Sequence, residues 1–156
     1  TIKSLSDASS NLRGTVAPKI RTGASAYMDV FSGGKYTEVF FDDELRMSMD
    51  EQGFSYPIDS FSAGTKDAAY LSLRLSLFMR IFGTELPPLV LDESLCQLDE
   101  KRAEKTIALL GSLAGEGIQT LLFTSHKREE ETCERAEVGY NLIALSKSLY
   151  VSIFNK

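Results

Sequence analysis

Cysteine is scarce in this 156-residue chain: Cys96 and Cys133 are the two present. That excludes a disulfide scaffold and fits free thiols in a reducing compartment. Long apolar runs are missing as well. The best candidate, Tyr70 to Phe82, is broken by Arg74 and Arg80, short of the roughly 18 uninterrupted residues a membrane helix needs. No apolar signal-peptide core follows Thr1-Ile2-Lys3-Ser4, and the start without Met suggests an excised piece of a longer protein. Basic residues are outnumbered, 17 Lys and Arg against 22 Asp and Glu, for a net charge of −5. A surface basic all over is thereby excluded, so any nucleic-acid contact must be local or made by something outside this chain. A phosphate-cradling loop of the G-x-x-x-x-G-K-[ST] type is absent. Gly34-Lys35 is the sole Gly-Lys pair, but Tyr36 follows it and Asp29 stands at the first glycine position.

What remains is ordinary for a globular domain. Apolar residues make up 43% and charged residues 25%, enough to bury one core and to exclude disorder. From Ser4 to Phe31, Leu5, Leu12, Val16, Ile20, Ala24, Tyr27 and Phe31 form one helical stripe, with a kink or junction expected at Pro18 and a stop at Ser32-Gly33-Gly34. Such a thin stripe suggests packing against a partner helix. Tyr36 to Asp42 and Leu45 to Asp50 read as a hairpin joined at Asp43-Glu44, followed by a loop from Gln52 to Asp59. Thr65 to Phe82 reads as a nearly buried helix, apolar on two faces. Leu89-Val90-Leu91 has the continuous apolar character of a buried parallel strand. Helices are expected at Glu100 to Leu113 and Lys127 to Arg135, a second buried strand at Gln119 to Thr124, and a closing hairpin at Tyr140 to Leu145 and Leu149 to Phe154. The strand–helix–strand order implies an α/β layer with parallel strands.

Chemistry concentrates in three places. The strand at Leu89 ends in Asp92-Glu93, and ligands in open α/β sheets sit beyond the carboxyl ends of strands. Adjacent carboxylates there lose hydration unless a cation or hydrogen bonds compensate. Mg²⁺ with phosphate oxygens would suit them, since that ion takes one or two carboxylates and keeps its waters. Asp92 would hold the metal's water shell, and Glu93 would take a proton from an attacking water. A strand end followed by a helix-capping acid fits the same residues. His126 follows the next strand and so falls on the same sheet edge. It suits either a phosphate contact or a structural role. Ser62-Ala63-Gly64-Thr65 precedes the apolar helix, where free backbone N–H groups and the helix dipole favour an anion; a plain N-cap reads equally well. Glu129-Glu130-Glu131 reads as a solvated helix face.

In this order the pieces resemble the C-terminal lobe of an ABC-type P-loop ATPase head. Phe61 to Thr65 is similar to the signature motif, with Ala63 and Thr65 as departures. Leu89 to Glu93 resembles the Walker B strand, Ser94 to Asp99 the D-loop with Cys96 in place of the usual Ser, and His126 the switch histidine. Gly64 to Leu75 and Leu12 to Ile20 resemble the SMC-type branch, which includes SbcC, RecF and YhaN-like proteins. The implied fold is α/β: parallel strands with flanking helices plus an antiparallel hairpin. Residues 1–32 would be the returning coiled-coil arm and base helix, and 33–156 the C-terminal ATPase lobe.

The resemblance implies the cofactors ATP and Mg²⁺, held with an N-terminal Walker A lobe of the same protein. It further implies an ATP-dependent dimer with a second head. Ser62, Ala63, Gly64 and Thr65 would act on the partner's nucleotide, Asp99 would lie at the dimer seam, and Asp92 (metal), Glu93 and His126 (catalysis) would serve the chain's own nucleotide. Arg74 would connect head closure to the coiled-coil base, or stand as a surface arginine. DNA, and a nuclease or kleisin-like subunit, are the implied partners, in the cytoplasm or at a bacterial nucleoid. DNA repair or chromosome maintenance is the implied output. Anti-phage defence, transport, and a non-enzymatic dimerisation or nucleotide-sensing module are the alternatives.

Overall fold

The computed structural model describes residues 16–42, 44, 46–83, 86–146 and 149–154, so the expected helix before Val16 lies outside the described residues. The chain divides into two compact units, one ending at Ile81 and the other starting at Phe82.

In the first unit, helix α1 (Ala17–Ser32) begins with Pro18 in its opening positions. In that first turn its missing N–H is no loss and its fixed φ suits the helix, and Val16 just before already has helical backbone, φ −89° and ψ −46°. Ala24, Met28 and Phe31 are its buried stripe. Gly33, at φ 66° and ψ 41°, ends it in the left-handed conformation that glycine adopts without a Cβ penalty. Strands β1 (Val39–Phe41), β2 (Met47–Glu51) and β3 (Phe54–Pro57) form a three-stranded antiparallel sheet in that order. Helix α1 and β1 are tied by the Val39 N–H, which donates to Ser25 Oγ at 2.9 Å. Met47 and Met49 face the core, as their alternation predicts.

Strand β3 corrects the expected loop at Gln52 to Asp59. It pairs with β2, Glu51 opposite Phe54, through a two-residue turn in which Gln52 (φ 57°) and Gly53 (φ 84°) both take positive φ. That is the backbone requirement of a type I′ hairpin, which Asn-Gly or Asp-Gly announces and Gln-Gly disguises. Pro57 is tolerated because it is the last residue of an edge strand.

Helix α2 (Ala63–Phe82) follows a short 3-10 turn at Ile58–Ser60. Leu71 and Leu75 are buried as expected, but on the second apolar face Leu73 and Leu77 are half-buried and Tyr70 and Ile81 are 46% and 69% exposed, so that face is open at its ends. Arg74 is exposed. Helices α1 and α2 meet at small residues: Ser76 Oγ donates to the Ile20 carbonyl at 2.8 Å, and a Cβ on Gly23 would lie 3.1 Å from Ser76 Cβ.

In the second unit, β4 (Leu89–Asp92), α3 (Glu100–Gly115), β5 (Thr120–Thr124), α4 (Arg128–Arg135), β6 (Asn141–Ser146) and β7 (Leu149–Phe154) follow in sequence. The sheet order is β4-β5-β7-β6. Strand β4 is parallel to β5, and the other pairs are antiparallel. The elements expected in this half are all found. One expectation fails in degree: β4 is covered on one face only, with Leu89 and Leu91 buried and Val90 51% exposed.

The turn geometry sets a stability test. Replacing Gly53 by Ala should cost about 1 kcal/mol because the left-handed conformation is strained for any Cβ, whereas Gln52→Asn should raise stability by a few tenths of a kcal/mol. Urea unfolding curves of the two variants check both signs.

Candidate active site

Parallel pairing of β4 with β5 puts Asp92 opposite Phe123, so the residues that follow each strand emerge at one sheet edge. Glu93 leaves β4 with φ 46°, a left-handed conformation uncommon for a residue with a long side chain. Its N–H donates to the Phe123 carbonyl at 3.0 Å. Its carboxylate turns to the neighbouring loop, where Oε1 accepts the Ser125 N–H at 2.8 Å. Oε2 is buried with no hydrogen-bond partner among the described residues, and His126 Nε2 stands 3.9 Å from it. The Ser125 hydroxyl, then the Ser125 N–H and the nearby imidazole, hold the Glu93 carboxyl below its ordinary value of 4.5, against the opposing effect of burial. Glu93 is thus a carboxylate held by the Ser125 loop, with its second oxygen turned toward His126.

Asp92 is exposed at the same edge. Among the described residues no group of three or more His, Cys, Asp or Glu could cage a metal. A single exposed carboxylate at the strand end instead fits a Mg²⁺ ion that would arrive with phosphate and keep its waters.

The loop from Ser94 to Leu98 leads into α3. Asp99, rather than Asp92 or Glu93, caps that helix: its Oδ1 accepts the Arg102 N–H at 3.0 Å, and its side chain stays exposed. Two neighbours escaped the sequence. Arg128 donates to the Leu95 carbonyl at 2.6 Å and to the Leu98 carbonyl at 3.1 Å, and lies 3.4 Å from Glu129 Oε1. Glu129 is 2% exposed, which corrects the solvated reading of the acidic run: it accepts from the Thr124 hydroxyl at 3.2 Å, and Thr124 Oγ1 in turn accepts the His126 N–H at 3.0 Å. A run of like charges conceals which member faces inward. The hydrophobic spacing of Thr132 and Cys133, both buried, was the available signal. Burial, with the Glu129 carboxylate nearby, pushes the Cys133 thiol up to about 12, so it is inert; Cys96 is half-buried in the loop.

In the first unit, Ser62 caps α2. Its Oγ lies 3.0 Å from Thr65 Oγ1 and accepts the Thr65 N–H at 3.4 Å. Ser62 and Ala63 are exposed, Gly64 is half-buried and Thr65 is buried. The first turn thus presents the Ser62–Gly64 edge to solvent, while Thr65 faces inward.

The chain superposes on solved SMC structures. It matches one from work on ATP-driven dimerization and DNA-stimulated activation of SMC ATPases with a TM-score of 0.69 at 14% identity, covering 91% of this chain and 88% of that one. The chain has the fold of an SMC ATPase head lobe. A Pyrococcus furiosus Smc head with an extended coiled coil, bound to the C-terminal domain of ScpA, gives 0.61 at 13% identity over 88% of this chain and 35% of that one. The Thermotoga maritima SMC head domain gives 0.58 at 22%, over 85% and 46%. In sequence the chain is 25% identical over 123 residues to the uncharacterized protein YhaN of Bacillus subtilis strain 168, spanning 78% of this chain and 13% of that relative. No protein-family model matches.

The depressed Glu93 acidity has a measurable consequence. A carboxyl whose folded value is lowered contributes stability above 4.5 that is lost as pH falls through the folded value. Glu93→Gln removes that contribution, so the stability gap between wild type and variant should narrow as pH drops below 4.5. Thermal unfolding across that range, with a gap that stays constant as the contrary result, checks it.

Proposed function

We infer that this chain is the C-terminal half of a bipartite ATPase head, which hydrolyses ATP when an N-terminal lobe supplies the phosphate-binding loop that its own sequence lacks. The observation that carries this is the meeting of Glu93, Ser125 and His126 at the carboxyl ends of two parallel strands, with one Glu93 oxygen left unpartnered. An attacking water hydrogen-bonded to that oxygen would be oriented by Glu93. His126, 58% exposed at its side chain, would donate to a terminal phosphate oxygen. Asp92 would hold the water shell of Mg²⁺, which supplies charge neutralisation for phosphoryl transfer. Positioning and electrostatics carry most of that reaction, so an ionised, well-held Glu93 suits it.

Two heads would close on ATP. The exposed Ser62 and the Gly64 amide at the start of α2 would meet the γ-phosphate bound to the partner, where a helix N-terminus favours an anion; Ala63 and Thr65 shape that turn, and exposed Asp99 would lie at the seam. The half-open strand β4, with Val90 exposed on an otherwise apolar strand, fits a covering layer supplied by the N-terminal lobe. Residues 1–32 would form the coiled-coil base and 33–156 the lobe proper. We assign the output to DNA repair or chromosome maintenance in the cytoplasm, with DNA and a kleisin-like or nuclease subunit as partners. No helix among the described residues is long and apolar enough to cross a membrane.

The test is reconstitution. The chain alone should not hydrolyse ATP, and with its separately expressed N-terminal lobe it should. Glu93→Gln should lower kcat by about 10²-fold or more. Ser62→Asp, which sets a carboxylate against the partner's phosphate, should abolish ATP-dependent dimerisation by light scattering while leaving ATP binding intact. Full activity in Glu93→Gln would sink the assignment. A rise in ATPase rate with duplex DNA that falls with salt supports the DNA output.

A further inference from the structure

We propose that Arg128 and Glu129 form a latch that locks the loop after β4 to the loop after β5, so that Asp99 and His126 respond as one body. The proposal deepens the ATPase reading and rests on it for its catalytic half. Both residues sit at the start of α4, in a stretch where sequence offers only charge.

The chain of contacts is continuous. The Arg128 guanidinium donates to the carbonyls of Leu95 and Leu98, at 2.6 and 3.1 Å. These are the two residues whose side chains anchor the loop, at 0% and 2% exposure. A planar fork that spans two carbonyls fixes that turn in a way a point charge does not. The same guanidinium reaches Glu129 at 3.4 Å. Glu129 is buried, accepts the Thr124 hydroxyl, and so holds the oxygen that accepts the His126 N–H. A buried carboxylate is retained only when paired and hydrogen-bonded, and here Oε1 meets the arginine that holds the first loop while Oε2 accepts from Thr124 at the start of the second. The first loop carries Asp99 toward the seam in the proposed dimer; the second carries Ser125 and His126 to Glu93. Arg128 is thus a positioning residue: it touches no reacting atom, and it makes placement of His126 depend on the conformation of the loop that a second head would contact.

Hydrogen exchange and kinetics on the full-length protein test this together. Arg128→Ala and Thr124→Val should each speed amide exchange in both segments, 94–99 and 124–127, by about tenfold or more, since each breaks the same chain of contacts. Both should lower kcat by about tenfold with the KM for ATP within about twofold, the signature of lost placement rather than lost binding. Arg128→Lys keeps the charge beside Glu129 but cannot span both carbonyls, and should fall between wild type and Arg128→Ala; it decides the matter if Arg128→Ala fails to fold. Faster exchange confined to 94–99 in the arginine variants, or wild-type kcat in Arg128→Lys and Thr124→Val alike, overturns the latch. If the wild-type protein hydrolyses no ATP, the ATPase reading and the catalytic half of the latch fall together, while the exchange result still decides whether the two loops are joined.

Discussion

A single hydrogen bond across the ends of two parallel strands organises the candidate site: the Ser125 N–H donating to Glu93 Oε1 at 2.8 Å. To make it, Glu93 adopts a left-handed backbone, φ 46°, which costs a non-glycine residue about 1–2 kcal/mol. Such strain persists where the surroundings over-determine it. Here those surroundings are the Phe123 carbonyl on its N–H, the Ser125 N–H on its carboxylate, and the buried anchors Leu95 and Leu98 behind it. The turn at Glu93 leaves one carboxylate oxygen beside the imidazole without a partner among the described residues. A buried acceptor left unsatisfied is costly, and in the proposed head the attacking water would supply the missing donor.

Much of this was legible in the residues. The continuous apolar run at Leu89, the acids after it and the histidine after the next strand placed both loops on one sheet edge, because consecutive strands joined by a helix run parallel and bring their carboxyl ends together. The signature-like turn was found at the head of a helix, where small residues and a hydroxyl predict a cap, and Ser62 does cap it. Alternation at Met47 and Met49 gave the buried face of β2. Each of these signals is a short-range pattern enforced by backbone geometry.

What the residues hid falls into two kinds. Strand β3 was hidden because Gln52 carries no bias toward positive φ; the turn is specified by Gly53 and by pairing with β2. Glu129 was hidden because three consecutive glutamates look alike, and only the rotation of α4 selects which one meets Thr124 and Arg128. The exposed apolar residues Tyr70, Ile81 and Val90 belong to a different case. Their patterns predicted burial, and among the described residues they stand open. An apolar pattern of this kind fits a contact surface whether or not the contact lies within the same chain.

That last point bears on how the site would work. A head that completes its sheet and its nucleotide site only with other segments is inactive by construction until they assemble, and its catalytic geometry must then survive docking. The Glu93–Ser125 bond and the Arg128–Glu129 contacts are internal to the second unit and depend on neither docking event. Assembly would thus add phosphate and metal to a carboxylate already oriented, rather than create the orientation. Preorganised groups require no rearrangement at the moment of reaction, whereas a loop free to move would have to be ordered by binding, at the expense of affinity. In the proposed assembly, rigidity in the strand ends and their latch, and incompleteness in the open apolar faces, would separate the two requirements: the chemistry would be held in place early, and the switch that permits it would lie in who covers β4 and who meets Ser62.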